Sequence, residues 1–99
     1  MIAQFTIWAY GKEHHSEDIA EIGRLIKASG LHFEFHSMAT NIEGEWDQVM
    51  DLIKRCRNKL LDTNHRIGLN IMIDEKKGAT NQIMYKKASV EEKLRKQRE

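Results

Sequence analysis

The sequence predicts an α+β domain in which two helices cover one face of a four-stranded antiparallel sheet. Three segments alternate apolar and polar residues, which is the period of a half-buried strand, and a short stretch between two of the other elements adds a fourth strand. Two segments repeat apolar residues every three or four positions, which is the period of an amphipathic helix. At 99 residues the chain has the length of one small domain, so we assign residues 1–99 to a single unit.

The first strand is predicted over residues 2–10, where apolar side chains occupy the odd positions. The first helix begins near Ser16, whose hydroxyl suits an N-cap, and acidic residues follow in the first turn, where they favour the helix dipole. Gly30 provides a left-handed stop. The apolar face of this helix is predicted to contain Ile19, Ile22 and Ile26.

The next two strands are joined by a tight connection. Alternation returns over residues 31–38, and the short stretch 39–43 provides a third strand. After Gly44 a long helix begins, with acidic residues at its start and basic residues toward its end, as the dipole favours. Its apolar stripe is predicted to consist of Trp46, Val49, Met50, Ile53, Cys56 and Leu60.

The last strand is predicted over residues 65–74, followed by a polar loop over residues 75–82. Ser89 and Glu92 have the spacing of a capping box, so a short final helix is predicted to begin there. This helix offers little apolar surface, and we therefore expect it to dock on another surface, such as a neighbouring subunit. Its buried side is assigned to Val90 and Leu94.

This order of elements is that of the split βαβ, or ferredoxin-like, βαββαβ arrangement, with a short C-terminal helix added. The odd-numbered strand residues then meet the helices, and the even-numbered residues form a helix-free face. That face mixes aromatic, thioether and hydrogen-bonding groups, and apolar patches of this kind usually mark contact with a subunit or ligand. We expect it to be covered in an oligomer. The helix-free face is predicted to contain Gln4, Thr6, Trp8, Tyr10, His32, Glu34, His36, Met38, Asn70 and Met72.

Composition argues against several classes of partner. The chain has 16 Lys and Arg against 15 Asp and Glu, so no excess of positive charge predicts a nucleic-acid partner. No run approaches the roughly 18 apolar residues of a membrane span, and the N-terminal stretch lacks the pattern of a signal peptide. Together with the single cysteine, Cys56, these features predict a cytoplasmic protein without a disulfide.

The residues that could bind a metal ion or act as a nucleophile are poorly placed for these roles. His32 and His36 share a strand face but stand four residues apart, about 13 Å, which is too far for one metal ion. His14 and His15 are predicted to lie in a loop without a matching set of ligands. Cys56 falls on the buried stripe of a helix, and no serine has a motif-level partner. We therefore predict no metal site, no catalytic residue and no enzyme activity.

A single-stranded RNA-binding module is an alternative, because RNA-recognition domains share this architecture and present aromatic residues on an open sheet. Trp8 and Tyr10 keep that alternative open. Against it, residues 39–43 contain no aromatic residue, the K/R-G-F/Y-G/A-F pattern is missing, and Glu34 and Glu43 repel phosphate. A second alternative is an oligomeric structural or interaction domain that binds no small ligand.

The stretch MATNIEGEWD at residues 38–47 resembles the signature MGT-x-IEGE-W/L-D of the YkoF-like thiamine-binding protein family. Further matches to the family are FTI and YG within residues 5–11, SGL and FE within residues 29–34, I-x-I-D at residues 71–74, and SVEEKL at residues 89–94. The resemblance therefore covers nearly the whole chain.

This resemblance implies a ferredoxin-like fold, an oligomer that is commonly a tetramer, and binding of thiamine or its pyrimidine moiety without known catalysis. An aminopyrimidine suits carboxylate, amide or hydroxyl partners, and a cationic thiazolium suits carboxylates and aromatic faces. No further cofactor is implied. Three residues depart from the family pattern: Ala39 stands where glycine is usual, and Ala9 and Ser37 stand where proline is common.

We therefore predict non-catalytic binding of thiamine or a related hydroxymethylpyrimidine by a cytoplasmic homo-oligomer, with no nucleic-acid, membrane or metal partner. Glu45, Trp46 and Asp47 are assigned to the start and the apolar stripe of the second long helix. The predicted ligand-binding residues are Thr6, Trp8, Met38, Thr40, Glu43 and Asn70.

Overall fold

In the computed structural model, residues 1–11, 13 and 16–98 are described, and this part of the chain forms four strands and three helices. The elements are β1 (Ile2–Ala9), α1 (Ser16–Ala28), β2 (His32–Phe35), β3 (Thr40–Glu43), α2 (Trp46–Thr63), β4 (Ile67–Asp74) and α3 (Gln82–Arg98). The strand order is β2-β3-β1-β4, and neighbouring strands are antiparallel. The predicted ferredoxin-like α+β fold is thus confirmed, while His14 and His15 lie outside the described residues.

The face of the sheet that meets α1 and α2, which we call the inner face, holds the core. Ala3 and Phe5 of β1 are buried, and Ile42 of β3 lies beside them because its register partner is Ala3. This arrangement confirms that the odd-numbered residues of β1 face the helices. The helices contribute the buried side chains of Ile22, Ile26, Val49, Leu52, Ile53 and Cys56.

Two residues assigned to apolar stripes are exposed, and those assignments were wrong. Ile19 is 61% exposed and Trp46 is 51% exposed. Both lie in the first turn of their helix, one turn before the first buried residue, so their side chains extend past the end of the core. Leu52, which the predicted stripe of α2 omitted, is buried instead.

The start of α2 is encoded locally, as predicted for Glu45 and Asp47. Glu45 is the N-cap residue, and its backbone N–H donates a hydrogen bond to Gln48 Oε1 at 3.1 Å. Asp47 lies in the first turn, where a carboxylate stabilises the helix by about 0.3–1 kcal/mol.

The β2–β3 connection is a tight hairpin, as predicted, but both strands are shorter than expected. The backbone N–H of His36 donates to the carbonyl of Ala39 at 3.0 Å, so residues 36–39 turn where a longer second strand was predicted. The register pairs β3 only with residues 2–5 of β1. Residues 6–9 of β1 therefore pair with β4 alone.

The C-terminal helix is longer and begins earlier than predicted. It starts at Gln82 and has 17 residues, so Ser89 and Glu92 lie within the helix and do not cap its N-terminus. The cap comes from Glu43 of β3, whose two carboxylate oxygens accept hydrogen bonds from the backbone N–H groups of Gln82 at 2.7 Å and Ile83 at 3.1 Å. Because Glu43 is 39 residues away from Gln82, no local pattern reveals this cap.

Only the first turns of α3 are anchored to the rest of the described chain. Ile83 is buried against the helix-free face, which we call the outer face, and Lys87 Nζ donates to Glu34 Oε1 at 2.9 Å. Val90 and Leu94 are 56% and 52% exposed, so their predicted burial was wrong for the isolated chain. The radius of gyration, 15.6 Å against roughly 13 Å for a compact domain of this size, reflects the projecting helix.

The outer face is thus partly covered by the chain's own α3. Met72 remains 66% exposed there, and Met84 and Tyr85 of α3 are 56% and 66% exposed. Among the described residues, no helix has both the length and the apolar content needed to cross a membrane.

Candidate functional site

A cavity of about 480 Å³, which we call the notch, lies where β1 has lost its β3 partner. Its walls are residues 5–9 of β1, residues 35–40 of the hairpin, and the first half of α1, with Leu60 of α2 beneath. The volume falls within the range of roughly 300–1,000 Å³ that is usual for small-molecule sites. The notch therefore results directly from the unequal lengths of two neighbouring strands.

Apolar and aromatic groups dominate the walls of the notch. Phe5, Trp8 and Phe35 supply aromatic rings, and Met38 supplies a thioether at the hairpin tip. Met38 is 84% exposed, so its flexible side chain is free to adapt to a bound molecule. These surfaces suit a flat ring system.

The polar groups of the notch are few and lie on different walls. The Thr6 hydroxyl donates to the carbonyl of Met38 at 3.2 Å and thereby ties the hairpin tip to β1. Thr40 and Ser37 add hydroxyl groups from the hairpin, and Asp18 adds a carboxylate from the first turn of α1. The combination of aromatic rings with a carboxylate and hydroxyls favours a heterocycle that carries positive charge or hydrogen-bond donors.

The position of Trp8 depends on a glycine that sequence reasoning missed. Gly68 is the cross-strand partner of Trp8, and a Cβ built on Gly68 would lie 2.0 Å from Trp8 Cζ2. The indole ring therefore occupies the space that a side chain at residue 68 would need. Trp8 also packs edge-on against Tyr10, with ring centroids 6.1 Å apart, and Arg66 lies 4.3 Å from the Tyr10 ring centroid.

The structure brings four of the six predicted ligand-binding residues together and places the other two elsewhere. The notch is lined by Thr6, Trp8, Met38 and Thr40 but not by Glu43 or Asn70. Asn70 is the register partner of Thr6 and is exposed on the next strand.

Thr40 and Glu43 lie on opposite faces of β3. Thr40 pairs with Phe5 and Phe35 on the inner face, whereas Glu43 pairs with Ile2 and His32 on the outer face. A single cleft beside both residues is therefore not formed within the chain. The carboxylate of Glu43 instead caps α3.

Several residues of the notch were not among the predicted ligand contacts. Asp18 was read as a partner of the helix dipole and Ile19 as core, although both line the notch. Phe35 was assigned to the inner face and is half exposed; its ring lies beside Gly23 of α1, where a Cβ built on the glycine would be 3.6 Å from Phe35 Cζ. These side chains lie where the pairing of β3 with β1 stops at the Phe5–Thr40 pair, and this pairing register was not predicted.

A second cavity, of about 490 Å³, lies under α3 on the outer face. Its ionisable side chains already have partners: Lys87 contacts Glu34 at 2.9 Å, His36 Nε2 contacts Glu34 at 3.3 Å, and Lys86 contacts Asp74. The hydrogen bond from Lys87 lowers the pKa of Glu34 below its usual value and raises the pKa of Lys87. The Lys87–Glu34 and Lys86–Asp74 pairs connect α3 to the sheet, so we assign this cavity a structural role.

The geometry of the described residues gives little support to a metal site or to nucleophilic catalysis by Cys56. Among the described residues, no group of three His, Cys, Asp or Glu side chains is positioned to hold a metal ion. Cys56 is fully buried, and burial raises its pKa to about 11, so the thiol is protonated at neutral pH and is a poor nucleophile.

We compared the chain with known protein families and with individual proteins. The model of the thiamine-binding protein family matches residues 3–91. The UPF0045 protein of Eremothecium gossypii is 38% identical over 53 residues, a match that spans 54% of this chain and only 47% of that protein.

Solved structures show the same fold. A hypothetical protein from Methanocaldococcus jannascii superposes with a TM-score of 0.83 at 26% identity, covering 92% of this chain and 95% of that one. A Thermotoga maritima protein assigned to thiamine biosynthesis or salvage has a TM-score of 0.75 at 24% identity, covering 88% and 96%. The family match extends over nearly the whole chain and confirms the predicted membership: the protein belongs to the thiamine-binding protein family.

Proposed function

We propose that this chain binds thiamine or a related hydroxymethylpyrimidine in the notch and does not catalyse a reaction on it. The observation that supports this proposal is the notch itself, in which aromatic rings, hydroxyls and one carboxylate of α1 meet in a member of a thiamine-binding family. Such a site offers stacking surfaces for a flat ring and a counter-charge for a cation.

Each wall has a proposed role. Trp8 and Phe35 contact the faces of the ligand rings, and Asp18 balances the positive charge of a thiazolium. The hydroxyl of Thr40 and the lone pairs of Thr6 contact polar edges, while Met38 covers the mouth. Contacts from Glu43 and Asn70 stay predictions, since these residues lie outside the notch.

The departures from the family pattern bear on which ligand is bound. Ala9, Ser37 and Ala39 all line the notch. Their substitution changes the wall next to the ligand, which is why the proposal includes related pyrimidines beside thiamine. We also propose that the protein is cytoplasmic, needs no additional cofactor, and has no nucleic-acid or membrane partner.

The proposal is tested by calorimetric titration of thiamine, and separately of 4-amino-5-hydroxymethyl-2-methylpyrimidine, into the protein. We expect saturable binding of at least one compound, and Trp8→Ala should weaken it about tenfold or more because a stacking surface is lost. Trp46→Ala is the matched control, since Trp46 is half exposed outside the notch. Absence of binding to wild type, or equal weakening by both substitutions, would refute the proposal.

We further propose that the protein is a homo-oligomer, with four subunits as the expected number. Its support is the exposed apolar surface of α3 and the outer face, including Met72, Val90 and Leu94. Light scattering should give a multiple of the 11.6 kDa chain mass. The double substitution Val90→Glu with Leu94→Glu should lower that mass, whereas Lys93→Glu should leave it unchanged. A wild-type monomer would contradict this part of the proposal.

A further inference from the structure

The unpaired part of β1 exposes backbone groups inside the notch. Met1 and Gly44 exchange two backbone hydrogen bonds, at 2.8 and 3.1 Å, which shows that odd-numbered residues of β1 direct their N–H and C=O groups toward β3. Tyr10 N–H donates to the carbonyl of Arg66 at 3.0 Å, so even-numbered residues point to the β4 side. By this alternation, the N–H and C=O of Ile7 point to the side that β3 does not reach.

The backbone donor and acceptor of Ile7 consequently have no partner in the described part of the chain. β3 ends its pairing with β1 at the Phe5–Thr40 pair, and within residues 1–11, 13 and 16–98 no hydrogen bond to Ile7 N–H or C=O is formed on that side. Ile7 lines the notch. A ligand that pairs with both groups gains affinity and specificity.

We propose that the backbone of Ile7 reads the hydrogen-bonding edge of the ligand heterocycle. The two groups lie side by side on one residue, as they do in a strand that awaits a partner. An aminopyrimidine offers the complementary edge: its exocyclic amino group donates to the Ile7 carbonyl, and the adjacent ring nitrogen accepts from the Ile7 N–H. The ligand thus takes the place of the next residue pair of β3.

This assignment rests on the proposed function and adds to it the chemical feature that is selected. A ring with a neighbouring donor and acceptor is favoured. The deamino analogue 5-hydroxymethyl-2-methylpyrimidine, which has no amino group, leaves the Ile7 carbonyl unpaired. The selection is made by the main chain, so it does not depend on which apolar side chain residue 7 carries.

The donor is tested by Ile7→Pro, because proline lacks the N–H and is tolerated where a strand has no hydrogen-bonded neighbour. Ile7→Ala is the matched control, which also loses the packing of Ile7 against the core but keeps the N–H. We expect Ile7→Pro to bind 4-amino-5-hydroxymethyl-2-methylpyrimidine about tenfold more weakly than Ile7→Ala, the effect of roughly one hydrogen bond. Equal affinity of the two variants would overturn the role of the donor.

The acceptor is tested on wild-type protein, which removes any dependence on folding of the proline variant. The deamino analogue 5-hydroxymethyl-2-methylpyrimidine should bind at least about tenfold more weakly than the 4-amino compound in calorimetry. If both bind equally, the backbone assignment is overturned while the proposed function stands. If wild type binds neither compound nor thiamine, the proposed function fails and this inference fails with it.

Discussion

Gly68→Ala is expected to destabilise the protein by about 1–3 kcal/mol, the usual range for inserting atoms into filled space. The new Cβ would lie 2.0 Å from Trp8 Cζ2 and 2.1 Å from Cε2, well inside van der Waals contact. The indole ring must therefore leave its position beside the notch. Thermal unfolding should shift by about 4–8 °C per kcal/mol for a domain of this length, and ligand affinity should fall as well.

The double variant Trp8→Ala with Gly68→Ala separates the steric cause from a general cost of changing β4. With the ring removed, the alanine at residue 68 meets no obstacle, so its additional effect should be close to zero. The difference between the two backgrounds measures the coupling between the residues. Equal destabilisation in both backgrounds would show that the contact with Trp8 is not the cause.

Glu43→Ala is expected to release the start of α3 and to lower stability by about 0.5–2 kcal/mol, the range for losing an N-cap. The backbone N–H groups of Gln82 and Ile83 lose their acceptors, at 2.7 and 3.1 Å. Hydrogen exchange should accelerate over residues 82–86. The ion pairs of Lys86 and Lys87 remain, but both are exposed and contribute little on their own.

Two further variants sharpen this prediction. Glu43→Gln keeps one carbonyl acceptor and should give an intermediate exchange rate, while Glu75→Ala removes an exposed acid from the loop before α3 and should have no effect. Unchanged exchange in α3 for Glu43→Ala would contradict the capping role. Thiamine affinity measured on Glu43→Ala tests separately the ligand contact predicted from the family signature.

Much of the architecture could be predicted because the spacing of apolar residues along the sequence indicates which segments are strands and which are helices. The alternation in β1 and β4 and the helical spacing of Ile22, Ile26, Val49 and Ile53 follow from one-sided burial, and the sheet order follows from the sequence of elements. The stop at Gly30 is also local, since its φ of +76° is a conformation that favours glycine.

What could not be predicted depends on contacts between distant segments. The start of α3 is set by Glu43, and the Ser89–Glu92 spacing that suggested a cap is a coincidence of polar residues within a helix. The notch depends on the register between β3 and β1, which local patterns do not reveal. It also depends on the hydrogen bond from His36 to Ala39, which closes the hairpin within a segment whose alternation predicted a longer second strand. Of the six predicted ligand residues, Thr6, Trp8, Met38 and Thr40 line the notch and Glu43 and Asn70 do not, while the notch residues of α1 needed coordinates.

The remote cap of α3 also has a consequence for the order of folding. Most of the stability of a helix in a protein comes from the packing of an apolar face, and α3 buries only Ile83 among its described side chains, so little drives it to form alone. Its first N–H groups find their acceptor only after the central strands have assembled. We therefore expect the C-terminal segment to become helical last, after the sheet has formed, and not to nucleate the folding of the sheet.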